Sequence, residues 1–211
     1  GRPQTVGAVL DAFLKRKRRD GRVRTTTLTD YSNQIKALKK GMGLANMTGL
    51  DRRTVVAHVK TRVAAGRSGA TVHGEINVLR MALKYAIERG WWHGDATRLT
   101  ACLGDIPETR EKAWLRVDEA RALLEHLDMD AFGMAVRMAL LAGMRAGEVT
   151  SRQWSDVDFS SGMIFIGPKQ TRTSSWKTKS GRKRWVPMNA DLRDALRRWY
   201  LKQGRPDDNA W

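Results

Sequence analysis

From residue 5 onward, apolar side chains return every three or four positions: Val6, Val9, Leu10, Phe13 and Leu14, before the charged run Lys15-Arg16-Lys17-Arg18-Arg19. That spacing puts them on one face of an α-helix, and Thr5 stands ahead of them as an N-cap. A second helix is predicted from about Thr27 through Leu38, with Leu28, Tyr31, Ile35 and Leu38 on one face, ending in the glycine-rich KKGMGL. Asp51 caps a third, DRRTVVAHVKTRVAAG. Ser68 or Thr71 opens a fourth, in which Ile76, Leu79, Leu83 and Ala86 share a face. Trp91-Trp92 then closes the helical core, and Tyr31 and Tyr85 fall on apolar faces.

The pattern changes in the second half. Val117 to Leu127 and Ala131 to Leu141 have helical spacing. They are followed by three short β-branched and aromatic runs, GMIFIG (162–167), SSWKTK (174–179) and KRWVPM (183–188), with Ser180-Gly181 suited to a hairpin tip joining the last two. A last helix spans Ala190 to Gln203. Gly104, Pro107 and the charged Glu108 to Lys112 break the periodicity. The predicted organisation is therefore a helical domain over 1–107, a linker over 108–114, and over 115–211 part of a mixed α/β domain with a small three-stranded antiparallel sheet.

Charge narrows the partners. The 39 Lys+Arg against 22 Asp+Glu give +17, which calls for a polyanion such as nucleic acid or an anionic membrane surface. No apolar run approaches the roughly 20 residues a membrane span needs. Most of the excess lies in the helical half: residues 1–107 hold 20 basic and 8 acidic residues, a net +12, and residues 108–211 hold 19 and 14, a net +5. Lys15, Arg16, Lys17, Arg18, Arg19, Lys36, Lys39 and Lys40, with Arg22, Arg24, Arg52 and Arg53, are candidate phosphate contacts, which fix position without reading sequence. The four histidines, His58, His73, His93 and His126, show no metal-ligand spacing and read as packing or surface residues. The single Cys102 reads as a small core residue and excludes a disulfide framework. No metal and no cofactor is expected. The chain opens at GRPQTV without an initiator Met and reads as an excerpt of a cytoplasmic, nucleoid-associated protein.

The stretch AGMRAGEVTSRQWSDVDFSSGMIFI, followed by KTKSGRKRWVPM, resembles the catalytic-arginine box and lysine hairpin of the tyrosine recombinases, or phage-type integrases. WLRVDEARALLEHL is similar to the opening of their catalytic domain, and SGATVHGEINVLRMALKYAIERGWW to the last large helix of their SAM-like, four-helix core-binding domain. The resemblance implies that Arg145 contacts the scissile phosphate, that Glu148 orients and supports it, and that Lys179 is the general acid toward the leaving 5′ hydroxyl. It also implies duplex DNA as partner, a homotetramer on paired sites, and strand exchange through a 3′-phosphotyrosine without metal or ATP. No histidine follows His126, so no HxxR box is present, and Tyr200 lies too soon after the hairpin to match the nucleophile. Cleavage is therefore not expected of this chain alone.

The chemistry suits the residue types. A planar guanidinium at a turn offers a phosphate two parallel donors, while the same i,i+3 spacing of Arg145 and Glu148 also describes an ordinary surface ion pair worth tenths of a kcal/mol. Lys179 reads equally as a proton donor whose pKa is lowered by Lys177, Arg182, Lys183 and Arg184, or as one more cation gripping phosphates. For those four neighbours, grip is the simpler reading. Two further functions remain open: a DNA-binding regulator that kept the fold without the chemistry, and an RNA-binding module explained by charge alone.

Overall fold

Thr5 accepts the N–H of Ala8 and starts α1 (Val6–Arg19); Asp51 accepts that of Thr54 and starts α3 (Arg52–Ala64); Ser68 accepts that of Thr71 and starts α4 (Gly69–Glu88). In the computed structural model, residues 1–101, 106, 113–170, 175, 176, 178 and 181–206 are described. The chain divides into two units, Gly1–Lys112 and Ala113–Trp211. The stretch 108–114 falls mostly outside the described residues.

In the first unit, α2 (Thr25–Met42) packs against α1, α3 and α4, and a short α5 (Ala96–Leu99) follows. The apolar stripes meet in one core that includes Val9, Leu10 and Phe13 of α1, Ile35 and Leu38 of α2, Val55 and Val59 of α3, and Ile76, Leu79 and Leu83 of α4. Tyr31, Tyr85, Trp91 and Trp92 pack around it, with Trp91 edge-on to Tyr85 at 5.4 Å between ring centres. The second helix does not stop at Leu38. It continues through Gly41 because Met42 is buried and Gly41 leaves room for the His58 ring of α3, which a Cβ there would strike. The N-terminus of α1 is tied to the loop after α2 by Val6 N–H to Ala45 O (3.0 Å) and Gly7 N–H to Gly43 O (2.9 Å), an approach that a side chain at residue 7 would block.

A polar cluster lies inside this core. The buried Glu75 carboxylate accepts Arg62 Nη2 at 2.6 Å and meets His58 Nε2 at 2.9 Å. Burial alone would raise its pKa, and the hydrogen bonds of His58 and Arg62 outweigh that and lower it.

The second unit begins with α6 (Val117–His126) and α7 (Ala131–Ala142), then the single turn α8 (Ala146–Val149). Three strands form an antiparallel sheet in the order β1 (Val157–Asp158), β2 (Met163–Ile166), β5 (Arg184–Pro187), with Ile164 opposite Val186. The three-stranded sheet is present, but its membership differs from the sequence reading. Val157-Asp158 supplies the third strand, and SSWKTK contributes β4 (Ser175–Trp176), which pairs with β3 (Lys169–Gln170) in a separate two-stranded ribbon. Among the described residues β4 pairs with β3; Ser180, the first residue of the expected Ser180-Gly181 hairpin tip, lies outside those residues. Ile164, Ile166 and Val186 face a core closed by α9 (Ala190–Lys202) through Leu192, Leu196 and Trp199.

Removing the carboxylate that serves two donors in the helical core leaves both without their partner. Glu75→Ala should cost about 3 kcal/mol, read as a lower urea midpoint with secondary structure retained in water. An unchanged midpoint would show that the group contributes nothing to the fold.

Candidate functional site

The helix α7 ends at Gly143, whose φ of +60° lies in the left-handed region that glycine adopts without strain. The chain reverses there, Met144 turns into the core, and Arg145 becomes the N-cap of α8. Glu148, in the third position of that turn, reaches back so that its Oε2 accepts the backbone N–H of Arg145 at 2.9 Å, the reciprocal half of a capping box. Its Oε1 also accepts Arg145 Nη1 at 3.2 Å. One carboxylate thus holds both backbone and side chain of the arginine.

A second guanidinium completes the arrangement. Arg184, at the start of β5, meets Glu148 in a bidentate pair, Nη1 to Oε1 and Nη2 to Oε2, both at 2.8 Å. The Glu148 side chain is 3% exposed, Arg184 38% and Arg145 67%, so the anion is enclosed while Arg145 presents most of its surface to solvent. The Arg184 hydrogen bonds are the largest cause lowering the Glu148 pKa; burial opposes them, Arg145 adds to them, and the value falls from an ordinary 4.5 to about 2. Two cations on one anion leave a net positive charge, and Arg145 is its outward edge. The arrangement offers an anion a seat with a rigid donor.

Behind it lies a second buried network. Arg152, fully enclosed, donates Nε to Glu148 O (2.9 Å), Nη1 to Phe165 O (2.6 Å) and Nη2 to Gly167 O (3.2 Å). Its Nη1 lies 3.6 Å from Asp156 Oδ2, and Lys169 Nζ meets Asp156 Oδ1 at 2.6 Å. The sequence reading missed Arg152, Asp156 and Lys169. The i,i+4 spacing of Arg152 and Asp156 in RQWSD was a faint signal, and nothing in it told of burial.

The other candidates are dispersed. Lys177 and Lys179 lie outside the described residues. Beside them, Thr178 Oγ1 donates to Arg182 O at 3.1 Å, Gly181 N–H to Thr178 O at 3.0 Å, and the side chains of Arg182 and Lys183 are exposed. Arg184, read from sequence as a phosphate grip, is turned onto Glu148. On α1, Lys15, Arg18 and Arg19 are exposed, Lys17 lies over the Phe13 ring, and Arg16 pairs with Glu88 at 2.8 Å while lying over Tyr85. Lys15, Arg16, Arg19 and Arg22 line one shallow groove, and Arg52, Arg53 and Lys60 line another. On α2, Lys36 and Lys40 are exposed and Lys39 pairs with Asp11 at 2.7 Å. Among the described residues no group of three His, Cys, Asp or Glu is placed to hold a metal ion, and no helix is long and apolar enough to cross a membrane.

The phage integrase family model matches residues 113–210. The fold is that of the Tn1549 transposon integrase, in a structure with circular intermediate DNA (TM-score 0.79, 18% identity, 95% of this chain and 66% of that one). It is also that of lambda integrase, as a tetramer on a Holliday junction (TM-score 0.76, 19% identity, 95% and 57%) and as a dimer on a core site (TM-score 0.73, 20% identity, 95% and 55%). The chain therefore spans just under two thirds of the Tn1549 chain's length and little more than half of lambda integrase's. No curated protein matches it in sequence.

A carboxylate whose pKa is depressed on folding stabilises the folded state above its ordinary pKa, and that contribution is lost as the pH falls toward the depressed value. The stability advantage of the natural chain over Glu148→Gln should therefore shrink as pH drops from 4.5 to about 2. Thermal melts of the two chains across that range check it, and a constant difference would contradict the ion-pair assignment.

Proposed function

The second unit belongs to the phage integrase family, and from this premise we propose that the chain is the DNA-clasping front part of a site-specific tyrosine recombinase, in which Arg145 neutralises the scissile phosphate. The observation that carries the reading is the Glu148 pairing, which fixes one edge of the Arg145 guanidinium and leaves the rest open.

In the proposed reaction of the whole recombinase, a tyrosine hydroxyl gives up its proton to water as its oxygen attacks the phosphorus, the new O–P bond forms as the bond to the 5′ oxygen breaks, and a 3′-phosphotyrosine holds the strand. The displaced 5′ oxygen takes a proton, for which Lys179 is the proposed donor. Attack by a 5′ hydroxyl on the phosphotyrosine reverses the sequence and returns the proton. Charge gathers on the nonbridging oxygens in each transition state, where a preplaced guanidinium stabilises it without reorganisation. The cations of the first unit, Lys15, Arg18, Arg19, Lys36 and Lys40 among them, hold phosphates along the duplex. Tyr200 is ill-suited as the nucleophile: its ring packs against Trp154 at 4.9 Å and Phe159 at 6.3 Å. This chain alone is thus proposed to bind DNA without cutting it. Four copies of the whole protein on two paired sites, the stoichiometry of the lambda integrase structure, complete the proposed working assembly.

Two outcomes follow. Arg145→Ala in the whole recombinase should lower strand cleavage by a hundredfold or more, of the order lost with an oxyanion donor, while DNA affinity stays within a fewfold; unchanged cleavage would contradict the role. The 211-residue chain should prefer duplex DNA over structured RNA in competition. Its affinity should fall about a thousandfold between 50 and 200 mM salt, as expected for several phosphate contacts; a preference for RNA would overturn the reading.

A further inference from the structure

Arg152 is a full charge with its side chain wholly enclosed, in a core where an apolar residue of similar volume is often as stabilising or more so. What an apolar side chain would not do is hold three backbone oxygens at once. The guanidinium joins Glu148 O, at the end of α8, to Phe165 O and Gly167 O, at the end of β2 and in the bend before β3. A fourth bond goes to Ser151 Oγ at 2.9 Å. Asp156 balances its charge, and the Trp176 ring of β4 covers its face, 5.2 Å from ring centre to guanidinium carbon. The same Trp176 lies against α8 at Gly147, where a Cβ would stand 3.3 Å from its Nε1.

The residue whose carbonyl Arg152 holds is the residue whose carboxylate holds Arg145. The single turn α8 has too few internal hydrogen bonds to fix its own orientation, since the last carbonyls of any helix lack partners within it. Arg184 steadies the side-chain end of Glu148; Arg152 steadies the backbone end.

We propose that Arg152 is a positioning residue for the strand-exchange chemistry: by fastening the Glu148 carbonyl to the β2–β3 backbone it sets the direction in which Arg145 meets the scissile phosphate. It touches no DNA and acts only through Arg145. The inference rests on the phosphate-neutralising role proposed above for Arg145.

The test uses the whole recombinase and two substrates, the natural phosphodiester and one in which a methyl group replaces a nonbridging oxygen at the scissile position, so that the phosphorus centre carries no charge for a guanidinium to neutralise. Arg152→Leu should slow cleavage of the phosphodiester by about a hundredfold, the loss expected when a catalytic group shifts by about 1 Å, and should cleave the neutral substrate at close to the natural rate. The ratio of the two rates is insensitive to the fraction of enzyme folded. Should the leucine variant fail to fold, Arg152→Lys keeps a cation beside Asp156 and loses the fork across the two β2–β3 carbonyls; it should shift the ratio in the same direction. The double variant with Arg145→Ala should be no slower than Arg145→Ala alone. If Arg145→Ala recovers on the neutral substrate while the Arg152 variants are slowed equally on both, Arg152 is a structural residue only and this inference fails. If Arg145→Ala itself does not recover, the phosphate role of Arg145 is what fails.

Discussion

A single enclosed carboxylate organises the second unit. Glu148 accepts the backbone N–H and one guanidinium nitrogen of Arg145 and both terminal nitrogens of Arg184. An isolated buried carboxylate is strongly unfavourable, and four donors on its two oxygens make this one stable in its ionised form. The consequence is geometric. An arginine at a turn normally samples many rotamers, and here one edge is fixed while the other stays open. The fold creates the setting by simple means: a left-handed glycine that reverses the chain after α7, a buried Met144 that anchors the reversal, and a β-strand that delivers Arg184 from the far side.

Among the described residues the same device appears in three places. Glu75 meets His58 and Arg62 in the helical unit, Asp156 meets Arg152 and Lys169, and Glu148 meets Arg145 and Arg184. They differ in how far the cations are covered. Arg62 and Lys169 are about one-fifth exposed and Arg152 not at all, whereas Arg145 is two-thirds exposed. Enclosed pairs tie elements together. A pair with one cation left open has charge available for a ligand, which is why the Glu148 cluster and not the other two is the candidate site.

Much of this was legible in the chain. The apolar spacing and the caps Thr5 and Asp51 mark helices through local chemistry, and the structure starts α1 and α3 at those residues; of the two caps open for α4, Ser68 and Thr71, the structure uses Ser68. The arginine turn was legible because Gly143, Arg145 and Glu148 lie within six residues. What escaped depended on partners distant in sequence. The helix α2 runs past its glycine because a ring 17 residues away, His58, fills the space that Gly41 leaves. A two-residue strand such as Val157-Asp158 has too little alternation to declare itself. Arg152 and Arg184 read from sequence as unremarked or solvent-facing cations, because nothing in their neighbourhoods records that Phe165 O, Gly167 O and the Glu148 carboxylate will close around them.

The chemistry proposed for this chain turns on the direction of one side chain. A crystal structure of this chain on duplex DNA measures it: both Arg145 Nη atoms should lie within about 3 Å of nonbridging oxygens of a single backbone phosphate, with Glu148 still holding the other edge. An Arg145 that turns away from the backbone, or that leaves Glu148 to reach it, would overturn the phosphate-neutralising role.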